Sequence, residues 1–390
     1  MHIGVLGPMS IDLLPLGGAP ELADIPGYPA PIVSGIVRGY LEQGARVTAI
    51  TTSTGLSDSI IVRSGALTLA VVPRARARSA LRMFREERQS IMRVLEQDTP
   101  DVLHAHWTYE FAAAAQDTGI PTLVTAHDDA RTILRFQPTL YRLLRLLLSD
   151  RVLKMAPFVS TPSEYLAATI APRCAGSMAV IPNFIGEDVS LRDSASVPRG
   201  QVVVTVSNGF AARKNVMAGL LAFAPSQTAQ SGWEYELIGH GLGPGGEAEQ
   251  WAKQRGLERG VRFRGPLAYE ETLSAMTRAA IMIHPALEES FGMTVLEAMA
   301  LGTPVIGGAD SGNIPALLSG GCGVLCDVRA PESIARALDD LAKRPDQRAG
   351  VATLARARAM SEYSSDRVIG RYAEALSAIL AAPGSKEARA

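Results

Sequence analysis

Two glutamates stand eight positions apart in the stretch AAIMIHPALEESFGMTVLEAMALGTPVIGG, residues 279–308: Glu289 and Glu297. Eight helical steps climb ~12 Å, and fewer helical steps climb less. That is about the span of a sugar joined through a diphosphate to a ribose. A carboxylate accepts hydrogen bonds from hydroxyls, so Glu289 could hold the sugar and Glu297 the two ribose hydroxyls. The backbone N–H groups of Phe291, Gly292 and Met293 lie between the acids, and a free helix N-terminus favours phosphate. Gly292 has no side chain to keep a ligand away. Taken alone, two acids at this spacing are also what an amphipathic helix with one solvated and one capping acid produces. The phrase around them is more specific than the pair.

The elements that must position these acids can be read from the same stretch. Ile281 to Ile283 is a short apolar run and reads as a buried strand. A polar turn follows, Pro285 to Gly292, then a helix-forming run, Met293 to Ala300, closed by Gly302 and Pro304. Val305-Ile306 reads as the next strand. Strand, turn, helix, strand is one βαβ unit of a parallel sheet. In such sheets ligands sit beyond the carboxyl ends of the strands, where both the turn and the helix start are placed.

The segment HPALEESFGMTVLEAMALGTPVIG resembles the acid-x7-acid segment of the retaining GT-B glycosyltransferases of family 4, also called group 1. The resemblance stays in register over nearly the whole chain. It implies an α/β fold of two Rossmann-like, doubly wound parallel-sheet domains facing across a cleft, with a C-terminal helix crossing back to the first. It implies transfer of a sugar from a nucleotide diphosphate sugar with retention of anomeric configuration. Donor contacts are then expected from Glu289, Ser290, Phe291, Gly292, Met293, Thr294 and Glu297.

Composition sets outer limits. The chain has 390 residues, 47% hydrophobic and 20% charged, which is room for two packed domains and not the signature of disorder. A formal net charge of −1 argues against a dedicated nucleic-acid binder. Cys174, Cys322 and Cys326 form no C-x-x-C pair and no even framework, so they read as free thiols in a reducing compartment. The opening HIGVLG is too short for a secretory signal, and no apolar run approaches the roughly 18–20 residues that span a bilayer. The expectation is a cytoplasmic protein, soluble or peripheral on the inner face of the membrane.

In chain order, His2 to Gly7 reads as a first strand, followed by a long Gly/Pro-rich stretch to Pro31 and a helix from Ile32 to Gln43. Long loops in compact domains are usually functional. The family carries a glycine loop here that approaches the donor phosphates; Gly27 falls where it turns, with Gly17-Gly18 as the second choice, and both are also plain turn sequences. Strands are expected at 45–50, 67–72, 101–107, 122–128, 158–163 and 178–183. Residues 74–93, with seven arginines against two acids, and residues 131–154 read as basic helices. Such helices either lie on an anionic membrane or belong to the core with their arginines reaching water. His106 and His127 end their strands on the ligand side. A strand-end histidine is often only a structural hydrogen bonder. The resemblance implies that His127 faces the transferred sugar and that His106, with Gly18, lines the acceptor side. Neither histidine has a Cys or carboxylate at ligand spacing, so no metal site is expected.

Domain limits are expected at 1–188 for the acceptor-side domain, 189–200 for a linker, 201–365 for the nucleotide-sugar domain, 366–382 for the returning helix and 383–390 for a flexible tail. In the second domain the strand at 202–207 runs into Asn208-Gly209 and Arg213-Lys214-Asn215. The family has an arginine a few residues before Lys-Asn or Lys-Gly, and both cations neutralise the diphosphate. Here Lys214 fits, Asn208 stands at the arginine position, and Arg213 sits beside the lysine. Strands at 235–238 and 261–267 lead to Gly239 and Gly241 of a G-x-G-x-G-P turn and to Pro266-Leu267, which the resemblance places near the nucleotide. Ala316 replaces an acid common in the turn that follows the focal segment. A last strand is expected at 323–327 and terminal helices at 331–343 and 366–380.

The chemistry implied needs no cofactor and no metal, since no D-x-D triplet is present. Lys214, Arg213 and the helix dipole would balance the leaving diphosphate. Glu289, His127 and Lys214 are the catalytic candidates. The partners expected are a nucleotide-sugar donor and a glycan, lipid-linked or small-molecule acceptor. Two other readings remain: an epimerase or hydrolase on the same fold, and a nucleotide-sugar-binding protein without turnover. A paired-carboxylate glycosidase is disfavoured, because neither acid has an apolar sequence setting that would clearly hold it protonated.

Overall fold

The computed structural model describes residues 1–390 except 23, 24, 26, 75–78, 193–195 and 383–390. The chain divides into two compact units, Met1–Phe184 with Ser365–Ala390, and Ile185–Ser364.

The first unit holds eight strands: β1 His2–Leu6, β2 Arg46–Ser53, β3 Ile60–Ser64, β4 Leu67–Pro73, β5 Val102–His106, β6 Thr122–Thr125, β7 Phe158–Thr161 and β8 Ser177–Val180. Their order is β3-β4-β2-β1-β5-β6-β7-β8. All pairs are parallel except β3 with β4, which is antiparallel. Helices cover both faces of a parallel sheet, so its central strands are continuously apolar; Ile3, Val5 and Leu6 of β1 are all buried. The helix Ser365–Ala381 belongs to this unit: Val368, Ile369, Tyr372, Leu376 and Ile379 join Val33, Ile36, Val37 and Tyr40 of the helix Pro31–Glu42 in one core. Strand order reverses between β1 and β5, which places the open crevice at their carboxyl ends.

The second unit has six parallel strands: β9 Val202–Val206, β10 Glu234–Ile238, β11 Val261–Gly265, β12 Ile281–His284, β13 Val305–Gly308 and β14 Val324–Cys326. The order β11-β10-β9-β12-β13-β14 reverses between β9 and β12. Arg199 leads into β9 and donates to the carbonyls of Thr277, Ala279 and Leu301 and to Thr303 Oγ1, locking the helix ends behind β12 and β13.

Several expectations are corrected. Residues 74–93 are not one helix: a 3-10 turn covers Ser79–Arg82, Met83 and Phe84 take left-handed φ of 50° and 53°, and the helix begins at Arg85 and runs to Gln97. Residues 75–78 of that range lie outside the described ones. Residues 131–154 form two helices, Ala130–Phe136 and Leu140–Met155. Pro138 cannot donate to the first, and Thr139 caps the second by accepting from Arg142 N. The stretch 189–200 is not a free linker. Glu187–Ser190 is helical, and Val189 is buried in the second unit's core. The division between units falls after Phe184, ahead of residue 188. Residues 193–195 and the expected tail 383–390 lie outside the described residues. The pattern gives no expectation for β3 or for the helix Pro345–Glu362, whose only buried residues are Val351, Ala355 and Ala359. Among the described residues no helix is long and apolar enough to cross a membrane.

Candidate active site

The reversal between β9 and β12 decides which loops share a crevice in the second unit. The loop after β9 carries Asn208, Gly209, Arg213 and Lys214; the loop after β12 carries Glu288 to Gly292. Backbone bonds lace the two together. Leu287 N donates to Arg213 O at 2.8 Å. Asn215, left-handed at φ 52°, donates through Nδ2 to the carbonyls of Pro285 at 3.0 Å and Val328 at 2.8 Å. From the far side Asn313 donates its N–H to Glu289 O at 2.9 Å and its Nδ2 to Phe291 O at 3.0 Å. The turn bearing Glu289 is therefore held at both ends by backbone and amide groups rather than by packing alone.

Into this frame Lys214 extends Nζ to within 2.6 Å of Glu289 Oε1. Arg213 Nη1 donates to the Glu288 carbonyl at 2.9 Å and lies 3.9 Å from Glu289 Oε2. His284, the last residue of β12, places Nε2 3.7 Å from Glu289 Oε1. Burial pushes the Glu289 carboxyl up, but Lys214, His284 and Arg213 outweigh it and hold the acid below the usual range. Burial lowers His284 to about 4, so its ring is neutral at pH 7. The result is a fixed carboxylate with two cations beside it.

Gly292 ends the turn. Its φ of 101° is open to glycine, and a Cβ there would lie 2.7 Å from Ile314 Cδ1. It is the N-cap of the helix Met293–Ala300, and no side chain caps that helix start. The first-turn N–H groups, including those of Met293 and Thr294, have no intrahelical acceptor, and the dipole there favours an anion. Ser290 lies in the turn and Phe291 is buried beneath it. Glu297 sits one turn further along and accepts from Tyr269 Oη at 2.9 Å. Burial pushes Glu297 up to about 7, with the tyrosine hydroxyl holding it lower than burial alone would.

The glycine turn after β10 packs against the loop after β9. Gly239 has φ 131°, and a Cβ on it would meet Ser207 O at 1.8 Å. Gly241 follows with φ 74°. Asn208 is exposed beside them and Gly209 has φ 107°. Pro266 and Leu267 lie beyond β11 on the same edge; Pro266 is exposed and Leu267 packs on the core.

In the first unit His127 stands just past β6 and His106 ends β5, and their rings are joined by an Nδ1–Nε2 contact of 2.9 Å. His106 is fully buried, so it supports His127 from beneath instead of lining an open acceptor surface; β5 is central and its end is roofed by the neighbouring rings. Burial lowers His127 to about 4. His104, also in β5, is satisfied by Tyr40 Oη at 2.9 Å and Thr125 Oγ1 at 2.7 Å and is structural. Gly18 and Gly27 line one cavity of about 480 Å³ together with Asp12, Leu14 and Ile25. Gly17 and Gly18 take the left-handed turn, at φ 63° and 77°.

His284 and Tyr269 were not among the residues singled out from sequence. His284 had a usable signal, since it is a histidine at a strand's carboxyl end like His106 and His127. Tyr269 had none, because its partner lies 28 residues away.

The family model described as Glycosyl transferases group 1 matches residues 190–358. The one described as Glycosyltransferase Family 4 matches residues 32–189. The chain belongs to the family 4, group 1 glycosyltransferases. Similar curated proteins include the D-inositol 3-phosphate glycosyltransferases of Corynebacterium urealyticum, 38% identical over 27% of this chain and 25% of that protein, and of Streptomyces scabiei, 34% identical over 32% and 28%. The matches thus span about a quarter of those relatives' length. Among solved structures, sucrose-phosphate synthase from Thermosynechococcus elongatus superimposes with a TM-score of 0.78 at 17% identity, covering 98% of this chain and 99% of that one. An Escherichia coli trehalose-6-phosphate protein bound with UDP-2-fluoro glucose gives 0.72 at 12% identity, covering 96% and 99%. At these identities the likeness establishes the fold, which is GT-B: two doubly wound, Rossmann-like parallel-sheet domains.

Proposed function

We propose that this family 4 glycosyltransferase moves a hexose from a nucleotide diphosphate sugar to a glycan, lipid-linked or small-molecule acceptor, with retention of anomeric configuration and without a metal. The observation that carries the reading is the Lys214–Glu289 pair at 2.6 Å beside the uncapped helix start at Gly292. A diphosphate seated on that helix start meets Lys214 and Arg213, and these cations balance the charge it gains as it leaves. Glu289 steadies positive charge at the anomeric carbon and holds a sugar hydroxyl. Glu297 accepts from the ribose. The acceptor oxygen attacks from the face the diphosphate leaves, forming the new C–O bond as the old one breaks. Its proton passes to the departing phosphate oxygen. No side chain then has to act as a strong base. For the first unit we propose that neutral His127 binds a hydroxyl of the sugar or the acceptor.

The reading is tested by incubating the purified protein with UDP-, GDP- and ADP-sugars in EDTA, with and without acceptors. D-inositol 3-phosphate, which the relatives' names give, is the first acceptor to try. Nucleoside diphosphate is expected to appear only when an acceptor is present. Donor consumption without acceptor would favour the epimerase or hydrolase. Donor binding with no release under any acceptor would favour a non-catalytic binder.

We further propose that the first unit touches an anionic membrane surface. Leu140, Leu143 and Leu147 form one exposed stripe of the helix Leu140–Met155, and Arg151 and Lys154 continue the same face. Flotation with anionic but not zwitterionic vesicles is expected, and Leu143→Glu should abolish it. Equal behaviour with both vesicle types would remove the proposal.

A further inference from the structure

Tyr269 opens the helix Tyr269–Arg278, reached from β11 through Pro266, Leu267 and Ala268. The helix start is fixed, since Ala268 N donates to Glu271 Oε2 at 3.1 Å and Leu273, Ala275 and Met276 are buried. Tyr269 is 44% exposed, yet its hydroxyl turns onto Glu297 Oε1 at 2.9 Å. A half-exposed tyrosine that spends its one donor on a buried-side acid is making a specific contact, because water could have served it instead. The bond engages Oε1 and leaves Oε2 for another donor.

The surroundings offer Glu297 little else. Among the ion pairs of the described residues none includes Glu297. The helix Glu187–Ser190, packed against the helix of Glu297, carries Asp188, whose charge acts on Tyr269. Glu270, beside Tyr269, is paired with Arg192. Arg356, from the helix Pro345–Glu362, donates to the Ala300 carbonyl at the far end of Glu297's own helix. The helix Ile314–Leu318 carries no titratable side chain. The phenol is thus the donor that supports the carboxylate.

We infer that Tyr269 is a positioning residue for the donor: its hydroxyl holds Oε1 of Glu297 and so orients the acid, leaving the second oxygen to accept from the nucleotide's ribose. This rests on the ribose role of Glu297 proposed above. The sign follows from the acid's position near neutrality. Below about pH 7 Glu297 holds a proton, and above it the carboxylate is free to accept. Donor affinity therefore rises with pH up to a break near 7 and is flat beyond it. Removing the phenol hydroxyl removes a hydrogen bond to the charged form, so the break moves upward.

The experiment is calorimetric binding of UDP-glucose, GDP-mannose and ADP-glucose between pH 5.5 and 9, using the full chain as wild type, Tyr269→Phe and Glu297→Gln. Sugar nucleotides are used because their diphosphate does not titrate in that range. Wild type is expected to lose affinity by up to about tenfold per pH unit below the break. Tyr269→Phe should shift the break upward and stay weaker than wild type on the high-pH plateau, where Glu297 is ionised but no longer oriented. Glu297→Gln should bind weakly with no break. A Tyr269→Phe profile that overlays wild type overturns the inference and leaves the ribose role standing. A Glu297→Gln protein that binds like wild type at every pH overturns the ribose role itself, and the inference with it.

Discussion

Glu289→Ala is expected to lower sugar transfer by two orders of magnitude or more, about 3 kcal/mol of barrier. The effect is electrostatic. The carboxylate is largely buried and ionised, with Lys214 and Arg213 on one side and the neutral ring of His284 on another. Fixed charge in a partly dry site acts on a developing charge more strongly than it would in water. Its turn is tied down by Asn313, so the acid arrives already oriented. The loss should appear in kcat more than in donor KM, because an anomeric carbon gains positive charge only as its bond to phosphate breaks. Initial rates on protein shown by circular dichroism to be folded check this. Near-normal turnover would count heavily against the assignment.

Lys214→Ala is expected to have an effect of the same size, for the complementary reason. The leaving diphosphate gains negative charge in the transition state, and Lys214 reaches into the turn that ends at the helix start proposed to seat it. This substitution also strips Glu289 of the cation 2.6 Å away, so the acid's proton affinity rises. Two residues that share a contact do not contribute independently. The Lys214→Ala, Glu289→Ala double variant should therefore lose less than the product of the two single losses. Kinetics of the three variants under one saturating donor concentration measure the coupling; strict multiplicativity would mean that the pair seen at 2.6 Å has no part in transfer.

The centre of this site was legible because its determinants are local. Strand, turn, glycine, helix and both acids fall within thirty residues, and each step has a short-range reason. Gly292 is needed where φ is 101° and Ile314 closes in, and the turn before it must be polar because it ends at a crevice. The parallel sheets were legible for the same reason, as apolar runs between turn signals. Part of what escaped depends on contacts between distant residues. Tyr269 meets Glu297 across 28 positions. His106 reads as a strand-end histidine facing ligand, but it is buried under His127. In the two basic stretches the helical spacing of apolar residues outweighed a break that Pro138 does signal locally, while nothing local marks the left-handed backbone of Met83 and Phe84. Arg213 shows both sides: its charge was legible, while its hydrogen bond to the Glu288 carbonyl was not.

The measurement that bears most directly on the central claim is a crystal structure of the protein soaked with the sugar nucleotide that binds it best. Diphosphate oxygens are expected on the backbone N–H groups around Gly292 and Met293 and on Lys214, with the ribose hydroxyls on Glu297 and the sugar against Glu289. A nucleotide bound away from that turn, or a Glu297 side chain directed into bulk water with ribose elsewhere, would contradict it.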